Sequence, residues 1–245
     1  MIIFVKYITQ IKKLYKDIYP KEKRESDKLV HLWGYYVTRP ISMLMTPFFI
    51  KLGVGANHAT YISLFIGLSS LCSGCSGHPL LAVNLYNIFL IFDALDGNLA
   101  RYYGSTKHGE LLDAIVGNIL NFLFIPSVAI GIELLNLKYF CLFDNFFNQL
   151  VLIALLSSLF LTISMLIAKD VKIIYGKKIT ISNNNQNKGK KFLHYLFRNS
   201  FGMAIAGPFS IIAIIFNVFD IFVIYNLIIS FIVLLFSILS SSNIE

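Results

Sequence analysis

Charge is what this chain has least of. Only 14% of its 245 residues are Asp, Glu, Lys or Arg, against 56% hydrophobic residues. A soluble domain needs about a quarter of its residues charged, so an ordinary water-exposed globule is excluded. Cysteine is scarce as well: three residues cannot make a disulfide framework. Two of them, Cys72 and Cys75 in "CSGC", read as small packing residues at a helix end rather than a redox or metal pair. No cleavable leader is expected, because Lys6 interrupts the short apolar run of "MIIFVKYITQ". Internal repeats and a symmetric pair of broken helices are both missing. The net charge of +8 comes without a soluble aromatic platform among the basic residues, so nucleic acid is not an expected partner.

What the chain does have is apolar runs near 20 residues long, the length of a transmembrane helix. They cover approximately 57–76, 79–103, 109–134, 147–168, 201–218 and 221–241. Ahead of them, residues 1–32 are polar and basic, with an amphipathic opening. The segment "YYVTRPISMLMTPFFIKLGVGANHAT" is too broken by Arg39, Pro40, Pro47 and Lys51 to span. An amphipathic helix lying in the interface fits it, with Tyr35, Tyr36 and Arg39 at headgroup depth. The expected architecture is therefore all-α and polytopic: six transmembrane helices preceded by an interfacial helix. Residues 1–54 form the cytoplasmic and interfacial part, and 55–245 the membrane domain. The one long loop, between the fourth and fifth runs, has an Asn-rich middle expected to be flexible. Placing the N-terminus in the cytoplasm puts all but Lys138 of the 21 Lys and Arg on that side. Both termini are then cytoplasmic, most simply in a bacterial cytoplasmic membrane.

Against that apolar background the acids stand out. A carboxylate well inside a bilayer costs about 2.5–3.5 kcal/mol on insertion scales, and is normally paired, hydrated or bound to a cation. In "IFDALDGNLARYYGSTKHGELLDAIVGN", Asp93, Asp96, Gly97, Ala100 and Arg101 stand at i, i+3, i+4, i+7 and i+8, one face of a helix. Gly109 and Asp113 stand at i and i+4 on the next helix. Two neighbouring helices thus aim three acids at one region. Hard oxygen ligands suit Mg²⁺ or Mn²⁺, or Ca²⁺ as a less demanding occupant. Gly97 and Gly109 leave room for a ligand near the backbone. Arg101 offers a planar donor fork for a phosphate. Metal, space and phosphate clamp together point to phosphoryl transfer at the cytoplasmic face.

"DALDGNLAR" followed by "GELLD" resembles the signature DxxDGxxAR…GxxxDxxxD of the CDP-alcohol phosphotransferases. The likeness extends upstream, where "RPISMLMTPFFIKLGVGANHAT" is similar to the family's amphipathic leading helix and the Asn-x-x-Thr that opens its first span. It covers roughly residues 35–120 by motif and the rest by topology. The resemblance implies a six-span membrane enzyme of phospholipid biosynthesis. Such an enzyme moves a substituted phosphate from a CDP-linked donor to an alcohol or lipid acceptor and releases CMP. It implies a binuclear Mg²⁺ or Mn²⁺ site with Asp93, Asp96 and Asp113 as ligands. Gly97, Ala100, Arg101 and Gly109 would line the CDP pocket, with Asn57 and Thr60 near the nucleotide.

One departure has a chemical consequence. The family's fourth Asp, a ligand of the second metal and the base for the acceptor hydroxyl, falls on Gly117. Asn118 lies about 100° further around the helix and does not replace it. The second metal is then expected to be weakened. Glu110, one turn nearer the cytoplasm than Asp113, and His108 at the loop end are the candidate replacement bases. A catalytically degenerate member that binds CDP nucleotide or lipid, and a transporter with a carboxylate cation site, are the readings from other classes. A homodimer, the identity of the acceptor and the donor's own group stay open.

Overall fold

A chain surrounded by hydrocarbon must satisfy its backbone internally, and a helix does so within one segment. The computed structural model describes residues 14–16, 18–30, 32–135, 149–175 and 203–242, and every regular element among them is helical. In chain order these are α1 (Lys21–Val30), a π turn at Gly34–Thr38, α2 (Arg39–Lys51), α3 (Ala56–Cys75), α4 (Pro79–Tyr103), α5 (Lys107–Leu134), α6 (Leu150–Tyr175), α7 (Met203–Ile215) and α8 (Phe219–Ser242). The amphipathic opening, Lys138, His194 and the Asn-rich part of the long loop lie outside the described residues.

Two glycines set the corners that matter for the site. Gly77, at φ +74°, turns the chain from α3 into α4, and its N–H donates to the Gly74 carbonyl at 3.0 Å. Pro79 then starts α4, where a missing N–H leaves nothing unsatisfied. At the other end of α4, Gly104 at φ +95° stops the helix. Thr106 caps the next one, its hydroxyl accepting from the Gly109 N–H at 3.1 Å.

The helix order in space is not the order in sequence. Helix α3 contacts both α4 and α5 more extensively than those two contact each other, so it lies along both. Helix α6 pairs with α8, α5 with α6, and α2 crosses α4. The α3–α5 seam is made of small residues. A side chain at Gly67 would collide with Leu120, and one at Gly74 with Ser127 and the Val128 backbone. Gly131 faces the Gly74 carbonyl and Gly77 amide with no room for a methyl. In lipid, where apolar burial gives no driving force between helices, such close backbone approach is what binds them. Aromatic layers complete the core: Tyr86 stacks on Phe124 with ring centroids 3.8 Å apart and planes 9° apart, and its hydroxyl donates to Asn121.

Among the described residues, four helices are long and apolar enough to cross a membrane, within Pro79–Tyr103, Lys107–Leu134, Leu150–Ile167 and Phe219–Leu239. Two of the six expected runs therefore differ. Helix α3 has the length, 20 residues, but Asn57, His58, Thr60 and the Ser and Gly of its packing seam dilute its apolar content. Helix α7 has only 13 residues. Large apolar side chains point outward from the bundle, Phe65 at 73% exposure and Leu134 at 72%. That is the surface of a protein whose solvent is lipid. Helix α2 reverses the usual soluble pattern in the same way: Ser42 and Thr46 are buried against the bundle, while Leu44 and Phe48 face out.

The seam gives a direct test. Gly131→Ala should destabilise the protein by about 3 kcal/mol, the upper end for overpacking, because backbone rather than a flexible side chain would have to yield. Gly117→Ala, whose methyl would meet only Asp93 Oδ1 at 3.9 Å, should leave the melting temperature in detergent nearly unchanged. Equal melting temperatures for the two variants would contradict this packing.

Candidate active site

Where the N-terminal end of α3, the C-terminal end of α4 and the N-terminal end of α5 meet, they enclose a cleft of about 280 Å³, near the lower end of the range for small-molecule sites. Asn57, Thr60, Asp96, Gly97, Ala100, Gly109, Glu110 and Asp113 line it, together with the α4–α5 turn Gly104–Thr106. Eight of the residues singled out by the sequence are thus brought to one wall or another of a single cleft. Three are not in that lining: Asp93, Arg101 and His108.

Asp96 is the best-held acid. It is 3% exposed, and the Thr60 hydroxyl donates to its Oδ2 at 2.8 Å. Thr60 sits one turn into α3, so the acid of one helix is oriented by the start of another. The N-terminus of α5 approaches α3 closely at the same level: a Cβ at position 109 would lie 2.7 Å from Asn57 Oδ1. Only glycine allows that approach, which keeps Asn57 at the cleft wall. Asp93 is half-buried one turn deeper, beside the open space at Gly117.

The three acids feel one another's charge: Asp113 acts on Asp93, and both act on Asp96. Among the described residues no group of three or more His, Cys, Asp or Glu is gathered at metal-ligand spacing. The acids therefore stand around the cleft without closing into a cage. Their chemistry nonetheless fits a small hard cation. All donors are carboxylate oxygens, they are in mutual repulsion, and the Gly117 side of Asp93 has no side chain filling it.

Arg101 differs from expectation in its pose. Its guanidinium folds back over Gly97, within 3.5 Å of where a Cβ would stand, and Nη2 donates to Asn98 Oδ1 at 2.8 Å. It borders the cleft instead of lining it. His108 is exposed and outside the lining, whereas Glu110 is part of it.

Sequence reasoning missed the residues behind the cleft. Asn98 is fully buried, and its Nδ2 donates to Ser42 Oγ and Thr46 Oγ1, each at 3.1 Å. Arg39, expected at headgroup depth, turns inward instead. Its side chain is 17% exposed and pairs with Asp27, Nε to Oδ2 at 3.1 Å. A buried partner and a backbone carbonyl on α4 outweigh water for this guanidinium. Burial opposes the charge on Asp27, but Arg39 and Lys23 together hold its carboxyl below the usual 3.8. The available signal was a polar residue, Asn98, on the side of α4 facing away from the Asp93/Asp96 stripe.

The described helices thus form an apolar membrane bundle with a cleft lined by acids and glycines at one end, an arrangement with the charge and the room to take a hard cation. Residues 54–239 match the CDP-alcohol phosphatidyltransferase family, and the chain belongs to it. Its members are integral membrane transferases of phospholipid biosynthesis that generally use divalent metal ions. Among individually curated proteins none matches the chain.

The Thr60–Asp96 bond supplies a prediction. Thr60→Val keeps the shape but removes the donor, so divalent-metal affinity should fall about 10–100-fold, the usual effect of losing a partner that orients a ligand. Thr60→Ser should restore most of it. Isothermal titration with Mn²⁺ measures both, and equal affinities for Val and Ser at position 60 would remove Thr60 from the site.

Proposed function

We propose that the protein transfers a substituted phosphate group from a CDP-linked donor to an alcohol acceptor and releases CMP. The observation that carries this is the cleft itself: carboxylates Asp96 and Asp113 line it together with the small residues Gly97, Ala100 and Gly109. Asp93, Asp96 and Asp113 would hold Mg²⁺ or Mn²⁺. When bound, such an ion offsets the negative charge of a diphosphate. The alcohol oxygen attacks the donor's β-phosphorus, a new P–O bond forms, the bond to the CMP oxygen breaks, and the alcohol's proton passes to a base. Glu110 suits that role better than His108, because it belongs to the cleft lining. Asn57 and the glycine floor receive the nucleotide, and Arg101 swings from Asn98 to steady a phosphate.

The Gly117 position explains a weakened second metal. A Cβ there would point at Asp93 Oδ1, 3.9 Å away, so a carboxylate at 117 would join the same cluster. CMP release from purified protein, supplied in turn with CDP-diacylglycerol and with CDP-ethanolamine plus diacylglycerol, tests the reading. Asp93→Asn and Asp96→Asn should abolish metal-dependent release without unfolding the protein. Gly117→Asp should tighten the second metal and raise turnover. No release by the native chain, with release only in Gly117→Asp, would favour the degenerate, binding-only reading. No release and no CDP binding in any background would discard the transferase.

We also propose six spans, with α3 and α7 joining the four apolar helices, α2 in the interface, and both termini in the cytoplasm. The support is the distribution of Lys and Arg and the outward apolar face of α2. Reporter tags at Ser76 and Asn145 should read as outside and one at Asn184 as inside. An outside signal at Asn184 would overturn the span count.

A further inference from the structure

Arg39 has no part in the proposed reaction, yet few side chains in the molecule are held so firmly. Its Nε donates to Asp27 Oδ2 at 3.1 Å. Its Nη1 donates to the Ala94 carbonyl at 3.2 Å and reaches Asn98 Oδ1 at 3.5 Å. Asp27 is in turn gripped by Lys23 Nζ and by the Tyr19 hydroxyl, each at 3.0 Å. The Tyr19 ring also lies beneath the guanidinium, 5.7 Å from its centre. Fixing a side chain with about 2 kcal/mol of rotamer freedom requires a strong set of contacts.

The backbone is shaped for the same purpose. The π turn at Gly34–Thr38 ends at Arg39, and Pro40 follows. An inserted π turn rotates everything after it relative to a continuous α-helix. Here Arg39 directly follows the turn, and its side chain reaches α4 at the Ala94 carbonyl.

The place it reaches is the back of the acid site. Ala94 adjoins Asp93, and Asn98 lies two residues beyond Asp96. The Arg39 guanidinium is thereby held on the α4 backbone one residue from Asp93, between the positions of Asp93 and Asn98. Arg39 and Asp27 both precede residues 54–239, the part that matches the family.

We propose that Arg39, anchored by Asp27, is a resident counter-cation for the Asp93–Asp113 pair and a positioning residue that sets how tightly the site holds a divalent ion. The proposal rests on the metal reading given above. A fixed positive charge beside the carboxylates offsets part of their mutual repulsion when no ion is bound. By the same charge it repels an arriving divalent ion and loosens its hold. The N-terminal helix α1, which carries Asp27 and Lys23, then serves to anchor that charge.

The test is direct Mn²⁺ binding to the full-length protein without nucleotide, followed by the electron paramagnetic resonance signal of free Mn²⁺. Arg39→Gln should bind Mn²⁺ tighter by roughly three- to ten-fold, as removal of one nearby like charge in a partly buried setting predicts. Arg39→Met, an unbranched apolar side chain without the charge, is the second neutral variant and should do the same. Arg39→Lys should return the Kd to within about two-fold of the native value, because it keeps the charge. Asp27→Asn leaves the guanidinium on the Ala94 carbonyl, so it should lower the melting temperature while changing the Mn²⁺ Kd by no more than about two-fold. A merely structural role for Arg39 would weaken Mn²⁺ binding in both neutral variants, and weaker or unchanged binding there overturns the proposal. Absence of Mn²⁺ binding by the native protein would overturn the metal reading first, and this inference with it.

Discussion

Negative charge placed between membrane helices is the constraint on which the rest of this structure depends. Asp93, Asp96 and Asp113 stand near enough to repel one another in surroundings that solvate them poorly. Each local feature around them can be read as an answer to that. The Thr60 hydroxyl satisfies Asp96, Arg39 is held on the α4 backbone beside Asp93, and the glycines leave space on the open side for a ligand. Remove the acids and the glycine-lined space beside them has no evident reason.

Asn98 ties this site to α2. A side-chain amide offers two donor hydrogens and one acceptor oxygen. Here the donors go to Ser42 and Thr46 of α2, and the oxygen receives Arg101, with Arg39 close by. Because α2 turns its hydroxyls inward to reach Asn98, its Leu44 and Phe48 must face outward. The same bonds that organise the back of the cleft therefore give α2 a lipid-facing apolar side. Site and α2 are set in register by one buried amide.

The seam between α3 and α5 acts at longer range. Acids on α4 and α5 share a cleft with Thr60 and Asn57 only because α3 lies along both helices. It does so because Gly67, Gly74 and Gly131 let backbones meet. The cost is a less apolar α3, since small and polar residues replace the large aliphatic ones of an ordinary span. A helix selected to pack inside a membrane bundle and one selected to face lipid carry different compositions.

Much of this was legible in the residues alone. Long apolar runs with the basic residues between them required helices in a membrane. The i, i+3, i+4, i+7, i+8 stripe from Asp93 to Arg101 required one acidic helix face, because 3.6 residues per turn leaves no other geometry. Local periodicity also placed Gly109 with Asp113. What periodicity could not carry was anything joining distant parts of the chain. Arg39 looked like a headgroup residue, since nothing near it in sequence reveals that Asp27 and the Ala94 carbonyl await it across the fold. Asn98 looked like a spacer within "DGNLAR" until α2 crossed behind it, and Arg101 looked like a residue pointing into the cleft until Asn98 gave it a nearer partner. Helix faces follow from the covalent chain. Which buried polar groups find each other follows only from how the helices cross, and that was decided by the tertiary structure.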